Sequence, residues 1–386
     1  MFQFTSLPPL SLYIHFPWCV RKCPYCDFNS HELKNELPEQ QYIDALLADL
    51  DQVLPAIWGR PIISIFMGGG TPSLFSPESM DKLLSGLRAR LNFNTDIEIT
   101  MEANPGTAEQ NKFNEFYHTG INRLSIGIQS FNNDHLQKLG RIHDRKEAIR
   151  AAEIAHAASL ENFNLDLMFG LPGQNIKQAL NDIKIAIDLE PSHLSHYQLT
   201  IEPNTLFYHQ PPKVPDDDIS WQMQEHCQAE MAKHGYNQYE VSAYAKADKQ
   251  CHHNRNYWEF GDYLGIGAGA HDKITLPQQQ CIQRKWKVKQ PKQYLETAAT
   301  ESSLQGQRQL SRHDAAFEFM MNALRLTDGF ESQLFTQNTG LPITIIEKTL
   351  REAEQKGWLT WNTHQIKPTE NGQRFLNDLI ELFLPE

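Results

Sequence analysis

Three cysteines, Cys19, Cys23 and Cys26, fall within eight residues of one another. Their spacing is Cys-x3-Cys-x2-Cys. A closed tetrahedral zinc site takes four ligands, usually in two pairs, and no matching second pair follows. Cys251, His252 and His253 are distant candidates for a fourth ligand. A two-cluster ferredoxin run has a different order, Cys-x2-Cys-x2-Cys-x3-Cys-Pro. Three thiolates on an iron–sulfur cubane leave the fourth iron without a protein ligand. Such an iron can chelate an amine and a carboxylate together, as a free amino-acid group presents them.

Other polar or flexible residues recur just after short apolar runs. Gly68-Gly-Gly-Thr-Pro-Ser73 follows the run at 62–67. Glycines lack a Cβ, so their backbone amides can approach a ligand closely. Glu102 follows the run at 97–101. Gln129 lies in Gly127-Ile-Gln-Ser-Phe, Arg141 in Gly140-Arg-Ile-His, and Asp166 in Asn164-Leu-Asp-Leu-Met-Phe-Gly-Leu-Pro. Singly, each polar side chain reads as a cap or a surface group. Together they stand at the carboxyl ends of five candidate strands, the face where parallel barrels gather their active sites. Gly265-Ile-Gly-Ala-Gly-Ala270 fits a loose dinucleotide fingerprint, but Pro277 and a polar tract follow where a long helix should begin. We read it as a backbone loop near the barrel mouth.

The elements that must position these residues alternate along the first two-thirds of the chain. Candidate strands cover 12–16, 62–67, 97–101, 124–128, 165–169 and 193–199. Candidate helices cover 39–54, 77–91, 108–119, 133–139 running on to 145–158, and 176–189. In them apolar residues recur every three or four positions, as at Ile43, Leu46, Leu47 and Leu50. Such alternation builds parallel strands with helical crossovers. The expected fold class is α/β: a partial (βα)6 barrel, with a doubly wound sheet as the second choice. Residues 210–218 read as a loop, with a helix at 221–234 and a strand at 238–243. From Arg312 the pattern is mainly helical, with a short hairpin at 357–367 and a final helix at 369–383. That is a winged-helix-like tail, so we expect domains at 1–275 and 276–386.

The chain has 386 residues, 40% hydrophobic and 21% charged, which suits a globular protein with a real core. Its net charge of -12 disfavours non-specific nucleic-acid binding. Arg284, Lys285, Lys287, Lys289 and Lys292 form one basic run, read as a solvated strand and turn. No signal peptide is expected at the start, and no apolar run is long enough to span a membrane. Clustered cysteines without a disulfide framework fit a reducing cytoplasm.

The cysteine segment resembles the radical S-adenosylmethionine superfamily. The resemblance implies a 4Fe-4S cluster on Cys19, Cys23 and Cys26 whose open iron chelates S-adenosylmethionine. In that family an electron from the cluster cleaves the sulfonium and releases a 5′-deoxyadenosyl radical, while the protein orients the cofactor. It also implies cofactor contacts from Tyr13, Tyr25, Gly69, Gly70, Thr71, Glu102, Gln129, Arg141 and Asp166. A carboxylate at Glu102 could accept hydrogen bonds from ribose hydroxyls.

Within the superfamily the chain is similar to the group of oxygen-independent coproporphyrinogen III dehydrogenases and related haem chaperones. The dehydrogenases carry a fourth cysteine where this chain has Phe28, and a longer segment ahead of the cysteines. Both departures favour the chaperone branch. His253-Asn-Arg-Asn-Tyr-Trp258 matches a motif associated there with haem. The resemblance makes His253, Tyr257 and Trp258 candidate haem contacts, since imidazole is a common axial ligand and aromatic faces suit a flat macrocycle. The residues alone leave open that His253 bonds locally and the aromatics are core; Cys251 and His252 are alternative ligands. The expected function is haem binding and transfer to acceptor proteins, respiratory enzymes among them, with homodimerisation and peripheral membrane contact in view. Radical decarboxylation of porphyrinogen propionates is the rival.

Overall fold

The computed structural model describes residues 2–106 and 112–385. Six strands open their βα units: β1 (Leu10–Phe16), β2 (Pro61–Gly69), β3 (Asn92–Ala103), β4 (Arg123–Gln129), β5 (Phe163–Phe169) and β6 (His193–Gln198). Each neighbouring pair from β1 to β6 is parallel. The connecting helices are α1 (Glu39–Ile57), α2 (Pro77–Arg88), α3 (Phe113–Thr119), α4 (Asn133–Lys138), α5 (Arg145–Ala157) and α6 (Ile176–Asp188). Tyr42, Ile43, Leu46 and Leu50 of α1 are all buried, so the apolar stripe faces the sheet. Side chains from all six strands line one interior cavity of about 260 Å³. The sheet therefore curls around a lumen, as a partial barrel must.

Helix α7 (Asp217–Lys233) follows the 210–216 loop, capped by Asp216. The strand expected at 238–243 is instead two strands, β7 (Asn237–Glu240) and β8 (Ala243–Ala245), paired antiparallel. Between them the Glu240 carboxylate accepts from the Ser242 amide, which turns the chain back. Next come α8 (His252–Trp258), β9 (Asp262–Ile266), β10 (His271–Leu276), β11 (Cys281–Lys287) and β12 (Leu304–Gln309). The sheet order is β12-β11-β10-β9-β1-β2-β3-β4-β5-β6-β8-β7. It does not divide at 275/276, because β10 and β11 pair antiparallel across that point and the sheet runs on to Gln309. The basic run lies partly on β11. Lys287 is buried there on Asp49, against the solvated reading, while Lys289 and Lys292 are exposed.

Two helix expectations need correction. α4 and α5 are separate, because Gly140 takes a left-handed φ of 69° and Asp144 starts α5 with a capping box. The final helix is split into Glu370–Arg374 and Leu376–Glu381 at Phe375. Residues 108–111 of the expected third helix lie outside the described residues. The tail packs α9 (Arg312–Ala323), α10 (Ser332–Thr339) and α11 (Glu347–Gln355) with a three-stranded sheet of Phe330–Glu331, Gln365–Pro368 and Leu359–Trp361. Phe319, Phe335 and Leu350 centre its core, which Phe2, Phe260 and Ile282 join. No helix among the described residues is long and apolar enough to cross a membrane.

The edge where β9 meets β1 rests on one buried carboxylate. Asp262 accepts from Arg60 (2.8 Å), Lys273 (3.0 Å), the Thr275 amide and the Thr275 hydroxyl (both 2.9 Å). Removing one partner of a buried ion pair costs about 3–5 kcal/mol, because the other charge is left uncompensated. Asp262→Ala is expected to lower the urea-unfolding free energy by that amount; an unchanged midpoint contradicts this role.

Candidate functional site at the barrel mouth

Strand β1 delivers the chain to the cysteine loop, and β2 delivers the glycines beneath it. The Gly70 amide donates to Phe16 O (2.6 Å) and the Thr71 amide to Trp18 O (2.7 Å). A Cβ on Gly70 would stand 2.5 Å from Trp18 O. Gly69 takes φ 107°, and its Cβ would meet the His15 ring at 2.3 Å. The Gly69 amide donates to Glu102 Oε2 at 3.0 Å. These three N–H groups are thus spent within the protein, and what the loop gives the cavity is a surface without Cβ atoms. On the far side of the cysteine loop, Lys22 donates to the carbonyls of Phe28 and Ser30 (3.2 and 3.1 Å).

A cavity of about 280 Å³ opens at the carboxyl ends of the strands. It brings together Cys19, Cys23 and Cys26 with Tyr25, Gly69, Gly70, Thr71, Glu102, Gln129, Arg141 and Asp166. Tyr13 faces two adjoining cavities instead, both of which also touch Glu102. Phe28 sits on the rim, 59% exposed. Sequence reasoning missed Asn104, Ser125 and Tyr197, which line the same space. Tyr197 is the penultimate residue of β6, so the strand-end rule that found Gln129 at the end of β4 extends to it, whereas Asp166 lies mid-strand on β5.

The polar groups are held from several strands. Arg141 donates to Asn104 Oδ1 (2.6 Å), to Gly127 O (2.7 Å) and to Cys23 Sγ (3.6 Å). Asn104 in turn donates to the Thr71 hydroxyl at 2.9 Å. Gln129 adopts a left-handed φ of 68° and accepts from Tyr197 at 2.7 Å. A non-glycine residue in that region costs of order 1–3 kcal/mol and persists only where its surroundings impose it. Gly140 lets the Arg141 turn lie against the cysteine loop, because a Cβ there would meet Pro24 at 2.8 Å.

Charge is distributed unevenly. Burial, with Asp166 nearby, pushes the Glu102 carboxyl up to about 8. Burial also raises Asp166, against hydrogen bonds from Asn164 (2.8 Å) and Ser125 (3.0 Å). Two crowded carboxyls favour a ligand bearing positive charge or hydroxyl donors. At the thiol end, burial pushes Cys19 up to about 11, and Cys26 and Cys23 add to it. Holding three thiolates there calls for a cationic centre. Among the described residues no group of three or more His, Cys, Asp or Glu side chains could hold a metal ion.

The His-Asn-x-x-Tyr-Trp segment forms α8, under the lumen. The Glu98 carboxylate accepts from the amides of His252 (3.3 Å) and His253 (3.2 Å) and from Cys251 Sγ (3.6 Å). His253 Nδ1 shares a hydrogen bond with Ser64 at 3.0 Å, and Asn256 donates to Ser11 at 2.9 Å. Burial pushes His253 down to about 3, so its ring is neutral. Its Nε2 has no hydrogen-bond partner among the described residues, and His253 lines the lumen while being only 1% exposed. Tyr257 lines the same cavity. Trp258 points elsewhere: it packs on the tail core with Arg325 over its ring at 4.3 Å. Cys251 is buried and His252 is exposed. The motif is thus not gathered on one open face.

The profile of the Radical SAM superfamily matches residues 13–186, and that of the HemN C-terminal domain matches 310–375. Heme chaperone HemW of Escherichia coli is 52% identical over 382 residues, covering 99% of this chain and 100% of that protein. Heme chaperone HemW of Bacillus subtilis is 33% identical, covering 97% and 99%. The structure of coproporphyrinogen III oxidase (HemN) from Escherichia coli, a radical SAM enzyme, superimposes with a TM-score of 0.82 over 98% of this chain and 90% of that one, at 23% identity. At that identity the likeness establishes the shared fold, a partial barrel with a smaller C-terminal domain. Matched over 97–99% of its length by relatives 33–52% identical, and carrying the three-cysteine loop on that barrel, the chain belongs to the heme chaperone HemW family of the radical SAM superfamily.

Proposed function

We propose that this chain binds haem and passes it to acceptor proteins, respiratory enzymes among them, from the cytoplasm. In this reading Cys19, Cys23 and Cys26 would hold a 4Fe-4S cluster, and Glu102 and Asp166 would help bind S-adenosylmethionine in the same cavity. One observation carries it: thiols, Arg141 and the pair Glu102 and Asp166 share one cavity in a chain alike throughout to proteins named heme chaperones. The bound cluster supplies an open iron and an electron. The chain's own residues do the rest. Arg141 sets a fixed cation beside Cys23 and donates to its sulfur. Glu102 and Asp166 accept from hydroxyls and attract the sulfonium end of the ligand. Tyr197 fixes Gln129, and the glycine loop leaves room for the ligand's methionyl end.

Phe28 bears on the choice between carrier and dehydrogenase. It offers no thiol where the dehydrogenases have their fourth cysteine, and it presents an apolar ring to the rim. The carrier reading requires two outcomes from one anaerobically reconstituted preparation. Haem titration should saturate at a fixed stoichiometry with a ligand-type Soret band. Coproporphyrinogen III, supplied with S-adenosylmethionine and a reductant, should remain unconverted. Efficient decarboxylation would replace the carrier with an enzyme.

A second prediction concerns the carboxyl pair. Glu102 loses its proton near pH 8, and the ionised form is the better partner for a cationic, hydroxyl-bearing ligand. Affinity for S-adenosylmethionine should therefore rise from pH 6.5 to 8.5. Glu102→Gln should bind about ten- to a hundredfold more weakly at pH 8.5, the cost of losing a hydrogen bond to a charged group. It should also lose most of the pH slope. Equilibrium dialysis checks both; an equal slope in the variant would assign the titration to another group.

A further inference from the structure

The barrel mouth has a second opening, on the side where β1 meets β9 and β10. It encloses about 430 Å³, within the range of small-molecule sites. Its walls are aromatic: Tyr13, Phe28, Tyr257 and Tyr263. Phe28 closes one side and is largely exposed, so the site opens to solvent. Three histidines come near this space, and their hydrogen bonds separate them. His15 has both ring nitrogens engaged, Nδ1 with Tyr13 (3.0 Å) and Nε2 with Asn29 O (2.9 Å). His253 lies below Tyr257, sealed in the lumen and tied to Ser64. His271 is exposed at the start of β10, and among the described residues its ring makes no hydrogen bond. The Trp286 ring lies beside it, nearly parallel (21°), at 6.2 Å, which restricts its orientation.

The lining also carries one ammonium, opposite the Glu102 carboxyl. Lys289 lines this cavity, is exposed and has no ion-pair partner among the described residues. Two other members of the basic run are placed differently. Arg284 is held by Glu318 and Tyr263, and Lys287 by Asp49. Partial burial, and after it the charges of Lys289 and Arg284, lower the proton affinity of His271, which favours the neutral imidazole.

We propose that this second opening is the haem seat, with the macrocycle between Phe28 and the tyrosine wall, the His271 imidazole on the iron, and Lys289 on a propionate. The proposal rests on the carrier reading and goes beyond it by naming the ligand. A flat apolar ring with two carboxylates and an iron matches aromatic walls, a free imidazole and an unpaired ammonium. Exposure suits a carrier. A ligand on the rim leaves the other iron face accessible. At handover the acceptor's ligand forms a bond to iron while the bond to the His271 nitrogen breaks, and the iron's oxidation state need not change. The cavity shares Phe28, Gly69 and Glu102 with the cysteine cavity, so haem seated there would lie beside the cofactor site.

The test is a haem titration of the full-length, cluster-loaded protein and two variants. His271→Ala should bind haem at least tenfold more weakly, with a shifted Soret band, while the cluster absorbance is unchanged. Added imidazole should restore the band, which a merely structural role would not produce. Lys289→Glu should keep the band position but weaken binding, with a smaller dependence on salt. A His271→Ala protein with the wild-type band and affinity overturns the proposal, as does loss of haem that imidazole cannot rescue. Wild-type protein that takes up no haem removes the carrier reading itself, a separate result.

Discussion

The end of β2 must pass within hydrogen-bonding distance of the segment that leads from β1 into the cysteine loop. Two bonds define that join, Gly70 N to Phe16 O and Thr71 N to Trp18 O. Neither forms if residue 70 carries a Cβ, because the added carbon would stand 2.5 Å from Trp18 O. The join places the thiols above the strand ends and sends the Gly69 amide to Glu102. Thr71 reaches Asn104, and Asn104 reaches Arg141, which returns to Cys23. A single backbone approach therefore connects the sulfur end of the cavity to its carboxyl end.

The lumen beneath has its own order. Five of the six strands contribute polar side chains, and β2 contributes Phe66, to an interior that a closed barrel core would fill with aliphatic ones. Glu98, Arg123, His193 and His253 are all nearly buried there. Such groups are stable only with partners, and α8 supplies several of them from below. Its first-turn amides cap on Glu98, and Asn256 ties it to β1. The motif that sequence likeness links to haem is thus also the floor of the barrel. Tyr257 is its one aromatic that reaches toward the cofactor side, whereas Trp258 joins barrel to tail.

Much of this was legible in the residues. The six parallel strands were readable because each is a short apolar run with a helix-period segment behind it. Cys19, Cys23, Cys26, Glu102, Gln129, Arg141 and Asp166 were found by type and motif, Glu102 and Gln129 also by position at strand ends, and they do share a cavity. The breaks in helices and strands were less readable, since Gly140, Ser242 and Phe375 turn the chain by local conformation inside otherwise periodic segments. Two readings failed for a common reason, that partners come from far along the chain. The glycine amides looked free for a ligand but meet Phe16, Trp18 and Glu102. Lys287 looked solvated but is neutralised by Asp49, 238 residues away. The value of His271 was equally hidden, because an unpartnered imidazole is recognised only once every neighbour is known.

The account stands most directly on whether the barrel mouth holds a cluster whose open iron meets S-adenosylmethionine. Electron paramagnetic resonance of the reduced, anaerobically reconstituted protein reads this. We expect about four irons per chain and a signal that changes when S-adenosylmethionine is added. We expect Gly70→Ala to lose that change, because the join beneath the cysteine loop cannot form. A wild-type signal indifferent to the cofactor, or a Gly70→Ala signal that still responds as the wild type does, would contradict it.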